Sequence, residues 1–200
     1  MPSPIGHSLA GLAAAWAADL VPGDRAWRVG SDATRASRSG ELSSIYERAG
    51  GTLTLACVVL GCAADIDLLW GSHREYTHSV GAVIVVAIGA AIVATRARLP
   101  VLRVTLMCAA AYATHVLTDW LGGDAKPPYG IRALWPFDDG WYISPVIVFK
   151  GTQRFYQTLG EAVRVNAVAL MGEVLILVPI VVVLWRVRVR ALAGLSAETR

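Results

Sequence analysis

The sequence has few charged residues. Only 16% of its 200 residues are Asp, Glu, Lys or Arg, whereas soluble domains carry about 25%. Because 55% of the residues are hydrophobic, the composition also excludes a disordered chain. The apolar residues are gathered into runs of roughly 14 to 22, which is near the length of a helix that crosses a bilayer.

Cysteine and lysine are also scarce. The three cysteines (Cys57, Cys62 and Cys108) lie within apolar runs and form no CxxC pair, which argues against a disulfide framework and against a thiolate zinc site. We predict that they are small buried residues. The net charge of +3 comes mostly from arginine. No dense basic patch is interleaved with aromatics, so we expect no nucleic-acid partner.

Five apolar segments predict an all-α, polytopic membrane helix bundle of about four to five transmembrane helices in one domain, residues 1–200. The segments cover residues 4–21, 51–69, 78–95, 100–120 and 166–185. The first two meet acidic residues near their ends, so each is also compatible with a short, partly buried helix. In the third segment, Gly81 and Gly89 share a face and predict a close approach of another helix.

Two stretches separate these segments at greater length. Residues 22–50 are polar and rich in Ser, Gly and Arg, and we predict a loop there. Residues 121–165 are too long for a turn, and we predict an interfacial cap with short strands or a re-entrant path. With five spans and an external N-terminus, most Lys and Arg residues fall on the side of the 22–50 loop. The positive-inside rule therefore places that loop in the cytoplasm and the cap at the extracytoplasmic face of the cytoplasmic membrane.

All four histidines fall at the predicted extracytoplasmic end, together with a group of aspartates. Ionisable residues at membrane depth are costly, and they point to function. His115 and Asp119 are four residues apart and so share one face of a helix. The motif Asp65-Ile66-Asp67 lies where the second segment ends. The predicted metal ligands are His7, one or both of Asp65 and Asp67, His78, His115 and Asp119.

Imidazole and carboxylate ligands without cysteine suit zinc, manganese or iron better than calcium. A divalent ion at an open site can activate water near neutral pH and polarise a phosphoryl or acyl oxygen. Arg74 and Arg132 are candidates for binding a phosphate, because a guanidinium matches its geometry bidentately. Each residue taken alone also has a structural interpretation: His7 as a polar helix end, the Asp65 pair as helix caps, and His115 with Asp119 as a hydrogen-bonded pair.

An ordered set of short motifs carries a family resemblance. The set is Gly6-His7, Asp65-Ile66-Asp67, His73-Arg74, Thr77-His78-Ser79, His115 with Asp119, and Tyr129-Gly130 leading to Leu134-Trp135-Pro136-Phe137. In this order the motifs resemble the YdjM-like membrane-bound metal-dependent hydrolases. That family is in turn distantly similar to the zinc-dependent phospholipase C and P1-type nuclease group, all-helical enzymes that cleave phosphate esters.

The resemblance implies ligand roles for His7, Asp65 or Asp67, His78, and His115 with Asp119. The phospholipase group also uses a downstream set of His and Glu ligands, whereas no histidine follows His115 in this chain. We therefore expect one or two ions, with zinc as the first choice, rather than three.

Several functions follow from these observations. The first is a metal-dependent hydrolase acting on a small-molecule, lipid or lipid-linked phosphate ester, with membrane lipid around it. In that function the base is a metal-bound water or whichever aspartate of the motif does not bind the metal, with Asp67 as the catalytic candidate. His73 and Arg74 bind the leaving or transferring group. An alternative is a non-enzymatic metal-binding transporter or scaffold, which would use Glu173 inside the fifth segment. A third is a stress-response membrane factor with a structural metal.

Overall fold

The computed structural model describes residues 1–21, 50–69, 73–124, 127–152 and 158–198. The predicted 22–50 loop, except for Gly50, lies outside the described residues. Within the described ranges the regular secondary structure is helical. The described residues form five α-helices: α1 (Pro4–Asp19), α2 (Gly51–Cys62), α3 (Val80–Arg96), α4 (Val101–Trp120) and α5 (Leu159–Glu198).

The helices confirm the prediction of an all-α membrane bundle. In the part of the chain that the structure describes, three stretches are long and apolar enough to cross a membrane: Gly51–Leu69, Val101–Trp120 and Leu159–Ala191. Val80–Arg96 is a shorter apolar helix. The 16-residue helix α1 packs against α2, α4 and α5, as the alternative of a short, buried first segment predicted.

The backbones of α1 and α2 touch where they cross. A Cβ atom built on Gly61 would lie 2.6 Å from the carbonyl oxygen of His7, and one built on Gly11 would lie 3.0 Å from the Cα of Gly61. Only glycine permits so close an approach. The close helix approach predicted for α3 was wrong: Gly81 contacts Trp135 and Pro136 of the cap, and a Cβ on Gly89 would meet nothing within 4 Å.

A buried ion-pair cluster fixes the end of α1 that lies away from the histidines. The Asp19 carboxylate accepts hydrogen bonds from Arg103 Nε at 2.6 Å and from Arg188 Nε at 2.9 Å. Asp19 and Arg188 are almost fully buried, so removing one partner would leave an uncompensated charge. The cluster connects α1 to the start of α4 and to the second half of α5.

The segment between α4 and α5 is irregular. It contains two isolated bridges, Gly122 with Phe149 and Ile131 with Tyr142. The carbonyl oxygens of Ala133 and Trp135 accept hydrogen bonds from the first N–H groups of α3, each at 2.8 Å. The predicted end of the insertion at 165 was wrong, because α5 already begins at Leu159. The fifth segment is accordingly much longer than the predicted 166–185, since charged residues are tolerated in a helix outside its apolar centre.

Candidate metal site

Four elements meet at one end of the bundle and bring the predicted ligands together. His7 lies in the first turns of α1, and His115 and Asp119 lie in the last turns of α4. Asp65 and Asp67 belong to a 3-10 helix, Ala63–Leu69, that continues α2. His78 ends a short 3-10 helix, Tyr76–His78, that precedes α3. His78 therefore does not open the third helix as predicted; Ser79 is its N-cap.

The Asp119 carboxylate is at the centre of this arrangement. Its Oδ1 is 3.4 Å from His7 Nε2, and its Oδ2 is 3.2 Å from His78 Nε2 and 3.4 Å from His115 Nε2. The side chain is 1% exposed, and among the described residues neither oxygen has a hydrogen-bond partner. A buried carboxylate that accepts no hydrogen bond is costly, so this carboxylate and the imidazole nitrogens around it are suited to a bound cation.

The separations fit the ligand sphere of a small divalent ion. Ligand atoms about 2.0–2.2 Å from a tetrahedral zinc ion are roughly 3.3–3.6 Å apart. The three imidazole distances to Asp119 are close to that range, and His78 Nε2 is 3.1 Å from His115 Nε2. Among the residues that the structure describes, two groups of three have ligand atoms within 4.8 Å of one another. They are His7, His115 and Asp119, and Asp65, His73 and His78.

Hydrogen bonds on the far side of two imidazoles orient their Nε2 atoms. His115 Nδ1 donates to the carbonyl oxygen of Gly61 at 2.7 Å. His7 Nδ1 lies 3.1 Å from the hydroxyl of Thr118, which itself donates to the carbonyl oxygen of Thr114 at 2.8 Å. Because both acceptors take a proton from Nδ1, each ring leaves its Nε2 lone pair free for a metal, the usual outer-shell arrangement of metal-binding histidines.

Asp67 contacts the histidines from another direction. Its oxygens accept hydrogen bonds from the Arg74 N–H at 3.0 Å, the Thr77 hydroxyl at 2.6 Å and His73 Nδ1 at 2.8 Å. His78 Nδ1 lies 3.1 Å from the same carboxylate. Asp67 belongs to neither group of three, and its bonds orient the rings of His73 and His78.

The two arginines predicted to bind phosphate are paired with other side chains. Arg74, whose φ is +76°, forms an ion pair with Asp124. Arg132 Nη1 is 3.8 Å from Glu75, and its guanidinium lies over the Tyr76 ring at 5.6 Å. Both arginines thus connect the turn before α3 to the cap.

The site is most open at Asp65 and His73. Their side chains are 25% and 22% exposed, whereas those of His78, His115 and Asp119 are fully buried. Exposed apolar side chains occur in the neighbouring sequence and in the cap, as at Leu69 and Phe137. The candidate ligands are therefore most accessible from the side of Asp65 and His73.

Several residues that shape the site were not predicted from the sequence. Gly61 supplies a carbonyl to His115, and Thr118 supplies a hydroxyl to His7. Ser3 caps α1, with its hydroxyl accepting from the Gly6 N–H at 3.1 Å. The order Ser3-Pro4 is a typical helix start, with a capping hydroxyl followed by proline in the first turn. No comparable local signal marks Gly61 or Thr118, because their roles depend on helices far apart in the chain.

The comparison with protein families agrees with a membrane helix bundle. The family model of the YdjM inner membrane protein matches residues 1–193. No curated protein matches the chain, and no solved structure matches it. The more distant similarity to the phospholipase C and P1-type nuclease group stays a prediction. Since the match covers nearly the whole sequence, the chain belongs to the YdjM inner membrane protein family.

Proposed function

We propose that this membrane protein is a metal-dependent hydrolase that cleaves a phosphate ester of a lipid or lipid-linked substrate. The observation that carries the proposal is the Asp119 carboxylate, which is buried, without a hydrogen-bond partner among the described residues, and surrounded by three imidazole Nε2 atoms at 3.2–3.4 Å. A cation bound to this carboxylate would balance its buried negative charge.

The proposed ligands are His7, His78, His115 and Asp119, with Asp65 on the open side. Their donor set of imidazole and carboxylate, with no thiolate among them, favours zinc, and manganese or iron would also be accepted. When bound, the ion supplies a Lewis acid for a phosphoryl oxygen and lowers the pKa of water. The two groups of three residues are compatible with one or two ions; with one ion, held at His7, His115 and Asp119, His73 stays outside the ligand set.

Proton transfer is proposed for the exposed members of the site. His73 Nδ1 is held by Asp67 at 2.8 Å, which fixes the ring and leaves Nε2 free. An imidazole held in this way can accept a proton and return it to a leaving group. Asp67 is therefore proposed to position His73 and His78, rather than to act as the base itself.

A lipid substrate is proposed because of where the opening lies. The chain is an inner membrane protein by family, and its open side is next to exposed apolar residues such as Ile66 and Leu69. A phosphate at the membrane surface would reach Asp65 and His73 without leaving the headgroup layer. We place this face on the extracytoplasmic side, as the distribution of arginines indicates.

The alternative of a metal transporter needs polar groups that continue the path across the bundle. Glu173 and Asp19 are the carboxylates available for such a path. Glu173 is bonded to Ser3, and Asp19 is bonded to Arg103 and Arg188. These bonds favour structural roles for both carboxylates, and hence the hydrolase.

The test is a screen of phosphomonoesters and phosphodiesters, including phospholipids, with purified protein in detergent or in lipid. We expect metal-dependent cleavage by the unsubstituted protein, and loss of that activity in His115→Ala and Asp119→Asn. Glu161→Gln, a comparable carboxylate change at an exposed position on α5, is the matched control and keeps full activity. Bound metal without cleavage of any ester would contradict the hydrolase and favour the transporter or scaffold.

A further inference from the structure

The buried carboxylate of Glu173 on α5 is outside the ligand set but bonded to the helix that carries His7. The side chain is 1% exposed, in a stretch of α5 that is apolar enough to cross a membrane. A carboxylate at such a position is costly and points to a specific role. Its contacts define that role.

Both carboxylate oxygens of Glu173 contact Ser3, the N-cap residue of α1. Oε1 accepts from the Ser3 N–H at 2.7 Å, and Oε2 accepts from the Ser3 hydroxyl. The same hydroxyl accepts a hydrogen bond from the Gly6 N–H, so Glu173, Ser3 and Gly6 form one chain of hydrogen bonds. A negative charge at a helix N-terminus is also favourable for the helix dipole.

Gly6 shows how closely the carboxylate fits against α1. A Cβ on Gly6 would lie 2.5 Å from Glu173 Oε2 and 2.8 Å from its Cδ. The residue after Gly6 is His7, whose own N–H donates to the Ser3 carbonyl at 3.0 Å. The position of Ser3 therefore fixes the start of α1, and the start of α1 fixes the His7 imidazole.

We propose that Glu173 is a positioning residue for the metal site: by holding Ser3, it sets the distance between His7 and Asp119. The inference rests on the proposed metal site and adds α5 to the elements that build it. Neither Glu173 nor Ser3 belongs to the proposed ligand set, so their effect is transmitted through the first turn of α1.

The experiment measures zinc affinity and the visible absorption spectrum of the cobalt-loaded protein, full length and in detergent. Substitutions of groups that orient metal ligands typically weaken metal binding by about 10- to 100-fold. We expect a loss of that size for Glu173→Gln and an altered cobalt spectrum. Glu161→Gln on the same helix is the matched control, and we expect it to bind both metals as the unsubstituted protein does.

Variants of Ser3 test the same path without touching α5. Ser3→Ala removes the hydroxyl and should weaken zinc binding, whereas Ser3→Thr keeps it and should preserve affinity and spectrum. Ser3 and Glu173 act in one chain of hydrogen bonds, so their effects should not add. The double variant of Ser3→Ala and Glu173→Gln should bind zinc about as tightly as the single variant with the lower zinc affinity. If Glu173→Gln does not fold, the Ser3 variants still test whether these hydrogen bonds position the metal site.

The outcomes separate this inference from the function on which it rests. If the unsubstituted protein binds no metal, the proposed function fails and the inference with it. If it binds metal and Glu173→Gln matches the control in affinity and spectrum, only the inference is overturned. A lower melting temperature with unchanged metal affinity would likewise overturn it, because it would mean that Glu173 supports the fold alone.

Discussion

Substituting Gly61 by alanine should disrupt the metal site from a position that binds no metal. The new Cβ would lie 2.6 Å from the His7 carbonyl oxygen and 3.2 Å from the Gly11 Cα. Carbon and oxygen atoms in close contact are about 3.3 Å apart, so α1 must move by roughly 0.7 Å. Metal–ligand distances tolerate deviations of only about 0.2 Å.

We expect Gly61→Ala to lower both the stability of the protein and its affinity for zinc. Overpacking of this kind costs about 1–3 kcal/mol of unfolding free energy. Displacing His7 from Asp119, and the Gly61 carbonyl from His115, should weaken zinc binding by about 10- to 100-fold. Zinc affinity is measured by competition with a chromophoric chelator, and stability by thermal denaturation in the same detergent.

Alanine substitutions at two other glycines should weaken zinc binding less than Gly61→Ala does. Gly89→Ala adds a methyl group that meets nothing within 4 Å, so zinc binding should be unchanged. Gly11→Ala, with its nearest atom at 3.0 Å, should fall between the two. If Gly61→Ala binds zinc as tightly as Gly89→Ala, the close packing of α1 on α2 does not set the ligand positions, and the reasoning is refuted.

Further predictions concern ligand orientation, protonation and topology. Asp67→Asn should weaken zinc binding by about 10- to 100-fold in the same competition assay, because an amide cannot accept all the bonds that hold His73 and His78; unchanged affinity would contradict this role. Lowering the pH from 7.5 to 5.5 should weaken zinc binding, since imidazoles must lose their protons to bind, and chelation at pH 7.5 should lower the melting temperature; a pH-independent affinity would argue against histidine ligands. In intact cells, an impermeant thiol reagent should label Phe137→Cys but not Ser37→Cys, relative to the unsubstituted chain, and the reverse pattern would overturn the proposed orientation.

The gathering of the candidate ligand residues could be predicted because their signals are local. The spacing of His115 and Asp119 places them on one helix face whatever the rest of the chain does, and the apolar segments fix which helix ends share a side. Asp65 follows from the point at which an apolar run meets acid. The sequence alone therefore indicated which side chains gather, and at which end of the bundle.

The supporting contacts could not be predicted, because they depend on how the helices pack. The Gly61 carbonyl serves His115 only because α2 and α4 adjoin, and Glu173 reaches Ser3 only because α5 lies against α1. The predicted phosphate role of Arg74 and Arg132 relied on residue type alone. Their ion pairs with Asp124 and Glu75 depend on the path of the cap, which has no periodic pattern to reveal it.

The central claim is that the buried Asp119 carboxylate and the imidazoles around it hold a divalent metal. Its most direct test is the metal content, by elemental mass spectrometry, of protein purified without chelators, for the unsubstituted chain, Asp119→Asn and the control Glu161→Gln. The account predicts at least one equivalent of metal in the unsubstituted chain and in the control, and little in Asp119→Asn. A metal-free unsubstituted protein, or equal metal in all three, would contradict it.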